Sequence, residues 1–156
     1  MTKTQLPSWS KGTLAILGAG ALLFIGYKVY KKIQSIEEEK KSRKELGAVD
    51  KDLKDLPPPS LSKSQLQGYS NQLFTAMNGV GTDVTTIYKV FANVKSDSDV
   101  LNLIKIYGIQ ELSSGTWNPV SNYKGGLSGS LTEELNGDEI KALNMMLAKK
   151  GIKYRF

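Results

Sequence analysis

The chain has 156 residues and contains neither cysteine nor histidine, which excludes disulfides, thiolate zinc sites, cysteine nucleophiles and every imidazole acid, base or ligand. Its length suits one modest globular domain with additional segments. The formal net charge of +6 lies mainly at the N-terminal end, because residues 1–32 hold five basic and no acidic residues, and this distribution argues against nucleic acid as a partner.

An uncharged, mainly apolar segment follows an N-terminal tail at residues 1–11. It runs from Gly12 to Tyr27 and continues as apolar sequence around Lys28. As a helix, residues 12–30 would be about 28 Å long, close to the thickness of a bilayer core. The segment therefore predicts a single transmembrane helix. A cleaved signal peptide would need small residues just after the run, and a buried core helix would not be followed by so charged a segment.

The basic residues on either side of this segment predict its orientation. Two lysines precede residues 12–30, whereas seven lysines and arginines lie within residues 28–44. By the positive-inside rule, the C-terminal part should face the cytoplasm or the interior of a membrane-containing particle. The small residues Ala15, Ala19 and Gly26 fall near one helix face, where they either permit close approach of a second helix or are ordinary membrane-helix residues.

Residues 31–56 are predicted to form a charged helical stalk, in which Gly47 is a point of interruption. A short apolar stripe within it either pairs with a second copy of the chain or docks on the domain; it consists of Leu46, Val49, Leu53 and Leu56. Three prolines then begin a stiff linker at residues 57–62, which is the predicted domain boundary.

The C-terminal domain, residues 63–156, is predicted to contain five helices, the first at about 63–77. The predicted N-terminal caps are Ser62 with Gln65, Thr82 or Asp83, Ser96 or Ser98, Ser130 with Glu133, and Asp138. Residues 109–129 show no helical period and are predicted to be a long loop. No segment alternates strongly enough to predict a sheet, so the fold class is all-α.

The run AMNGVGTDVTTI between the first two helices resembles the Met-x-Gly-x-Gly-Thr-Asp run of a single annexin repeat. The matching residues are Met77, Gly79, Gly81, Thr82 and Asp83. The similarity extends through VKSDSDVLNLIKIYG and GSLTEELNGDEIKALN and covers roughly residues 63–151. It implies a five-helix annexin-like domain.

The resemblance also implies a calcium site that bridges to phospholipid phosphate. The carbonyl groups of Met77, Gly79 and Gly81 would be ligands, and Asp138 would supply the carboxylate, since calcium takes several hard oxygen ligands. The chain departs from the family at Val84, where an acidic residue is usual, and in having one repeat instead of four. The alternative is structural: the glycines permit a tight turn, and Asp138 caps the fifth helix.

Three functions follow as hypotheses. The first is a non-enzymatic single-pass membrane protein that presents an assembly domain in a bacterial membrane or a bacteriophage particle, with the bilayer, other protein subunits or further copies of itself as partners. The second is a membrane-tethered module that binds calcium and phospholipid. The third is a tethered carboxylate-dependent cell-wall glycosidase that uses Glu111, Glu133 or Glu134 as its acid.

Overall fold

The computed structural model describes residues 9–113 and 123–156, with side chains from Tyr30 onward except that of Lys31. The chain divides into two compact units, Met1–Gln34 and Ser35–Phe156. Most of the described residues are helical, as the sequence predicts.

Helix α1, Trp9–Asp52, contains the predicted membrane span. The side chains of residues 12–29 lie outside the described part of the chain, so the span itself stays a prediction. Among the described residues, no helix is both long and apolar enough to cross a bilayer. The predicted interruption at Gly47 was wrong, because α1 continues through it. A glycine inside a helix costs only about 1 kcal/mol, which the packing of neighbouring Val49 can offset.

In its described residues, the second unit adds five helices and two short strands. These are α2 Lys63–Met77, α3 Val84–Asn93, α4 Asp97–Tyr107, β1 Gln110–Leu112, β2 Tyr123–Gly125, α5 Leu127–Glu134 and α6 Gly137–Lys149. The bounds of α2 are those that the sequence predicts. Its capping box is also confirmed, since the Gln65 backbone N–H donates to Ser62 Oγ at 3.2 Å and the Ser62 N–H donates to Gln65 Oε1 at 2.9 Å.

The predicted loop at residues 109–129 contains regular structure at both ends. Strands β1 and β2 pair antiparallel, with Gln110 opposite Gly125 and Leu112 opposite Tyr123. Three-residue strands are too short to show a period of two, which is why the sequence did not reveal them. Residues 114–122, including Trp117, lie outside the described residues.

Helices α5 and α6 begin at other residues than predicted. Gly126 is the N-cap of α5, so Ser130 is not a cap but a buried residue within the helix, where its Oγ accepts a hydrogen bond from Tyr107 OH at 3.1 Å. Asn136, not Asp138, caps α6 and forms a capping box with Glu139. A cap depends on the backbone bend at that position, and several polar residues near a boundary can supply the same oxygen.

The core of the second unit forms where α2 packs on α3 and α4, and where α6 packs on α3. The end of α1 belongs to it: Val49 is 2% exposed. The other three residues of the apolar stripe pack against the core from the edge; they are Leu46, Leu53 and Leu56. Of the two roles open for this stripe, the structure shows docking on the domain.

Candidate functional site

The turn between α2 and α3 carries the most specific sequence motif in the chain. Gly79 has φ 127° and Gly81 has φ 78°, values that side-chain-bearing residues rarely adopt. Between them Val80 is 84% exposed at the tip of the turn. The two glycines are therefore required by the backbone path, and they hold an apolar side chain out in solvent.

Backbone hydrogen bonds tie this turn to the end of β1. The Gly79 N–H donates to the Ser113 carbonyl at 2.8 Å, and the Ser113 N–H donates to Asn78 Oδ1 at 2.8 Å. The Asp83 N–H donates to the Ala76 carbonyl at 2.9 Å, which closes the loop on itself. The turn is thus held from two sides.

A carboxylate from the end of α5 reaches the same turn. Thr82 Oγ1 donates a hydrogen bond to Glu134 Oε2 at 2.6 Å, across 52 positions of sequence. Hydrogen bonds to a charged acceptor are short and stronger than neutral ones. The sequence did not reveal this contact, because Glu134 was considered there only as a candidate acid. Its place next to the turn between the fourth and fifth predicted helices was the available signal.

Asp138 lies in the first turn of α6, and its side chain is exposed. Its backbone N–H donates to Asn136 Oδ1 at 3.0 Å, and its negative charge suits the positive end of the helix dipole. Met77 is the last residue of α2, with a buried side chain. Calcium coordination by Met77, Gly79, Gly81 and Asp138 stays a prediction. Within the described residues, no three acidic side chains cluster closely enough to hold a metal ion.

A shallow groove of about 320 Å³ lies beside the turn. The residues that line it are Asn71, Gln72, Thr75, Ala76, Asp83 and Thr86. Asp83 is already used as the cap of α3: Thr86 Oγ1 donates to it at 2.7 Å and the Thr86 N–H at 2.9 Å. These hydrogen bonds lower the pKa of Asp83, and the bond from the Thr86 hydroxyl contributes most. The predicted cap at Asp83 is confirmed.

The three carboxylates considered as catalytic acids have different surroundings. Glu111 lies on β1 opposite Lys124 of β2, and Glu133 is exposed on α5. Glu134 accepts the Thr82 hydroxyl. The fold thus places Glu111 and Glu133 on different elements, and it gives Glu134 a hydrogen-bond partner, Thr82, in the turn between α2 and α3.

A second polar cluster joins α1, α5 and the C-terminal tail. Glu45 Oε1 accepts hydrogen bonds from Ser128 Oγ and, at 2.9 Å, from Tyr154 OH. Beside it, the Gly126 N–H donates to Ser42 Oγ at 2.7 Å. Burial raises the pKa of Tyr154 to about 12, so this hydroxyl keeps its proton and remains a donor. The cluster fixes the end of α1 against the N-terminus of α5.

Lys150, close to the C-terminus of the chain, also stabilises the fold through hydrogen bonds. The Lys150 ammonium donates to the carbonyls of Phe91 at 2.9 Å and Val94 at 2.8 Å, at the end of α3. A cation at a helix C-terminus is favourable. Burial lowers the Lys150 pKa. Lys150 therefore caps the C-terminal end of α3.

No protein-family model, curated protein or solved structure matches this chain at a significant level. The class that the described residues define is a small, mainly helical domain with a two-stranded sheet.

Proposed function

We propose that this chain is a non-enzymatic single-pass membrane protein that presents its helical domain for attachment or assembly in a bacterial membrane or a membrane-containing bacteriophage particle. The observation that carries the proposal is the uncharged run from Gly12 to Tyr27, followed at once by lysines. A run of this length and composition favours insertion in a bilayer.

The polar contacts of the second unit support a binding role over a catalytic one. Glu45 holds Ser128 and Tyr154, Glu134 accepts a hydrogen bond from Thr82, and Lys150 caps α3. Each of these ionisable groups has a structural partner. The domain then offers a fixed surface for binding other proteins, which suits a subunit of an assembly.

Fractionation of cells that express the full chain tests the anchor. We expect the protein to stay in the membrane pellet after alkaline carbonate extraction and to be released by detergent. A variant with Leu22→Lys and Ile25→Lys should lose this resistance, because charged side chains in the bilayer core cost roughly 2.5 kcal/mol or more each. A control with Leu22→Ile and Ile25→Leu should behave as the parent. Release of the parent chain by carbonate alone would contradict the proposal.

Calcium-dependent phospholipid binding is a second candidate, favoured by the hydrogen bond between Thr82 and Glu134. That bond holds a carboxylate beside the turn of two positive-φ glycines, so the residues present suit a hard cation such as calcium. An ion that binds only the folded state raises its stability. Millimolar calcium should therefore raise the melting temperature of the parent chain and of Glu133→Gln, but not that of Glu134→Gln. Equal melting temperatures of the parent with calcium and with chelator would remove this candidate.

A further inference from the structure

Helix α1 carries apolar side chains that the other described residues leave uncovered. Ile33 is 52% exposed and Ile36 is 46% exposed, whereas Ser42 and Val49 are almost completely buried. The residues by which α1 docks on the domain therefore lie on a different face from Ile36. Large apolar residues three apart on one exposed helix face are typical of a helix–helix interface.

The two isoleucines also fit a heptad register. Ile33 and Ile36 have the spacing of positions a and d, and the same alternation of three and four residues continues upstream in the sequence; those positions are Ala15, Ala19, Leu22, Gly26 and Val29. Downstream the register reaches Lys40 and Arg43, which are exposed and charged. The apolar repeat thus ends where α1 begins to dock on its own domain.

Charges beside the isoleucines are complementary between two parallel copies. Lys32 precedes position a and occupies g, and Glu37 follows position d and occupies e; both are exposed. In a parallel coiled coil, g of one helix faces e of the next heptad on the other helix, so Lys32 of each copy faces Glu37 of its neighbour.

We infer that α1 associates in parallel with α1 of a second copy of this chain, through Ile33 and Ile36 and the flanking Lys32–Glu37 pairs. The inference rests on the proposed membrane anchoring, because copies inserted in one orientation have parallel α1 helices and are confined to the same bilayer. Two isoleucines per chain are less than a stable soluble interface needs. Confinement in a membrane raises the effective concentration of the helices and makes this short interface sufficient.

Single cysteines in this cysteine-free chain test the contact. Full-length Ile33→Cys and Ile36→Cys are expressed in membranes, and Gln34→Cys and Lys41→Cys serve as exposed controls on other faces of the same helix. After mild oxidation of isolated membranes, we expect disulfide-linked dimers on non-reducing gels at positions 33 and 36, at least fivefold above the two controls. Equal cross-linking at all four positions would overturn the inference.

Charge reversal identifies the partner and its orientation. In the Ile36→Cys background, Lys32→Glu or Glu37→Lys alone should lower dimer formation several-fold, because each places like charges opposite each other between the two copies. The double variant should restore dimer formation, because residues 32 and 37 of neighbouring copies again have opposite charges. Failure of the double variant to restore the dimer contradicts the parallel pairing. Carbonate extraction of the same samples separates the outcomes: loss from the pellet refutes the anchor, whereas retention without position-specific dimers refutes only the self-association.

Discussion

At the scale of single residues, Asp99 joins three parts of the chain. It is fully buried, and its carboxylate accepts the backbone N–H of Ser60 at 2.7 Å, of Leu61 at 3.1 Å and of Lys95 at 3.0 Å. The Ser60 hydroxyl donates a fourth hydrogen bond. The proline-rich linker is therefore fastened to the start of α4. Burial alone would raise the Asp99 pKa, but the hydrogen bonds outweigh it and the pKa is lowered.

Replacement of this carboxylate should destabilise the domain in a pH-dependent way. Asp99→Asn in a fragment of residues 35–156 should lose about 2–3 kcal/mol of unfolding free energy at pH 7, since it weakens hydrogen bonds to a charged acceptor. The folded-state pKa lies below the unfolded value of about 4, so this contribution is present above pH 4 and is lost as pH falls through the folded pKa. Urea unfolding at pH 7 and pH 3 measures the difference, which should shrink in acid. Asp55→Asn, at an exposed site, should change stability by less than about 0.5 kcal/mol at both pH values. An undiminished loss at pH 3 would contradict the role of the charge.

Packing around Gly129 leaves no room for a side chain at this position. A Cβ built on it would lie 1.8 Å from the Tyr123 hydroxyl, which is itself buried without a hydrogen-bond partner among the described residues. Gly129→Ala should therefore cost about 1–3 kcal/mol, as expected for overpacking, although alanine favours helix. Gly68→Ala is the matched control, because nothing lies within 4 Å of that position, and it should stabilise α2 by up to about 1 kcal/mol. Thermal unfolding compares the two, and equal effects at both sites would exclude the clash.

At the scale of elements, the end of α1 acts as part of the domain core. Its contacts include Val49 in the core, Glu45 with Tyr154, and the ion pair of Lys105 with Asp50 at 2.7 Å. Both members of that ion pair are more than half exposed, so it adds little stability. Burial of Val49 should matter more.

Truncation of the Val49 side chain measures how strongly the end of α1 is docked on the domain. Val49→Ala removes two methyl groups from a buried site and should lower the unfolding free energy by about 2 kcal/mol. The same substitution at Val80, which is 84% exposed, should change it by less than about 0.5 kcal/mol. Urea unfolding of the 35–156 fragment makes the comparison. A loss at Val49 no larger than at Val80 would mean that α1 is not part of the cooperative unit.

The elements also show what the sequence could and could not predict. The helical period and local caps identified α2 to its last residue, because capping at Ser62 and Asp83 depends only on near neighbours. Glu134 and Glu45 take their roles from residues far along the chain, and no local pattern encodes those contacts. Asp138 was mistaken for a cap because Asn136 supplies the same kind of oxygen two positions earlier.

At the scale of the whole molecule, the lysines around residues 12–30 predict which side of the membrane holds the domain. The full chain has no cysteine, so single replacements report topology without a background. Thr4→Cys in the tail and Met145→Cys on the exposed face of α6 are suitable sites. In intact spheroplasts, a membrane-impermeant maleimide should label Thr4→Cys, while Met145→Cys should react only after permeabilisation, because the positive-inside rule predicts a cytoplasmic C-terminal part. Labelling of Met145→Cys in intact cells would reverse the orientation, and equal labelling of both sites before permeabilisation would show that the charge bias does not fix the topology.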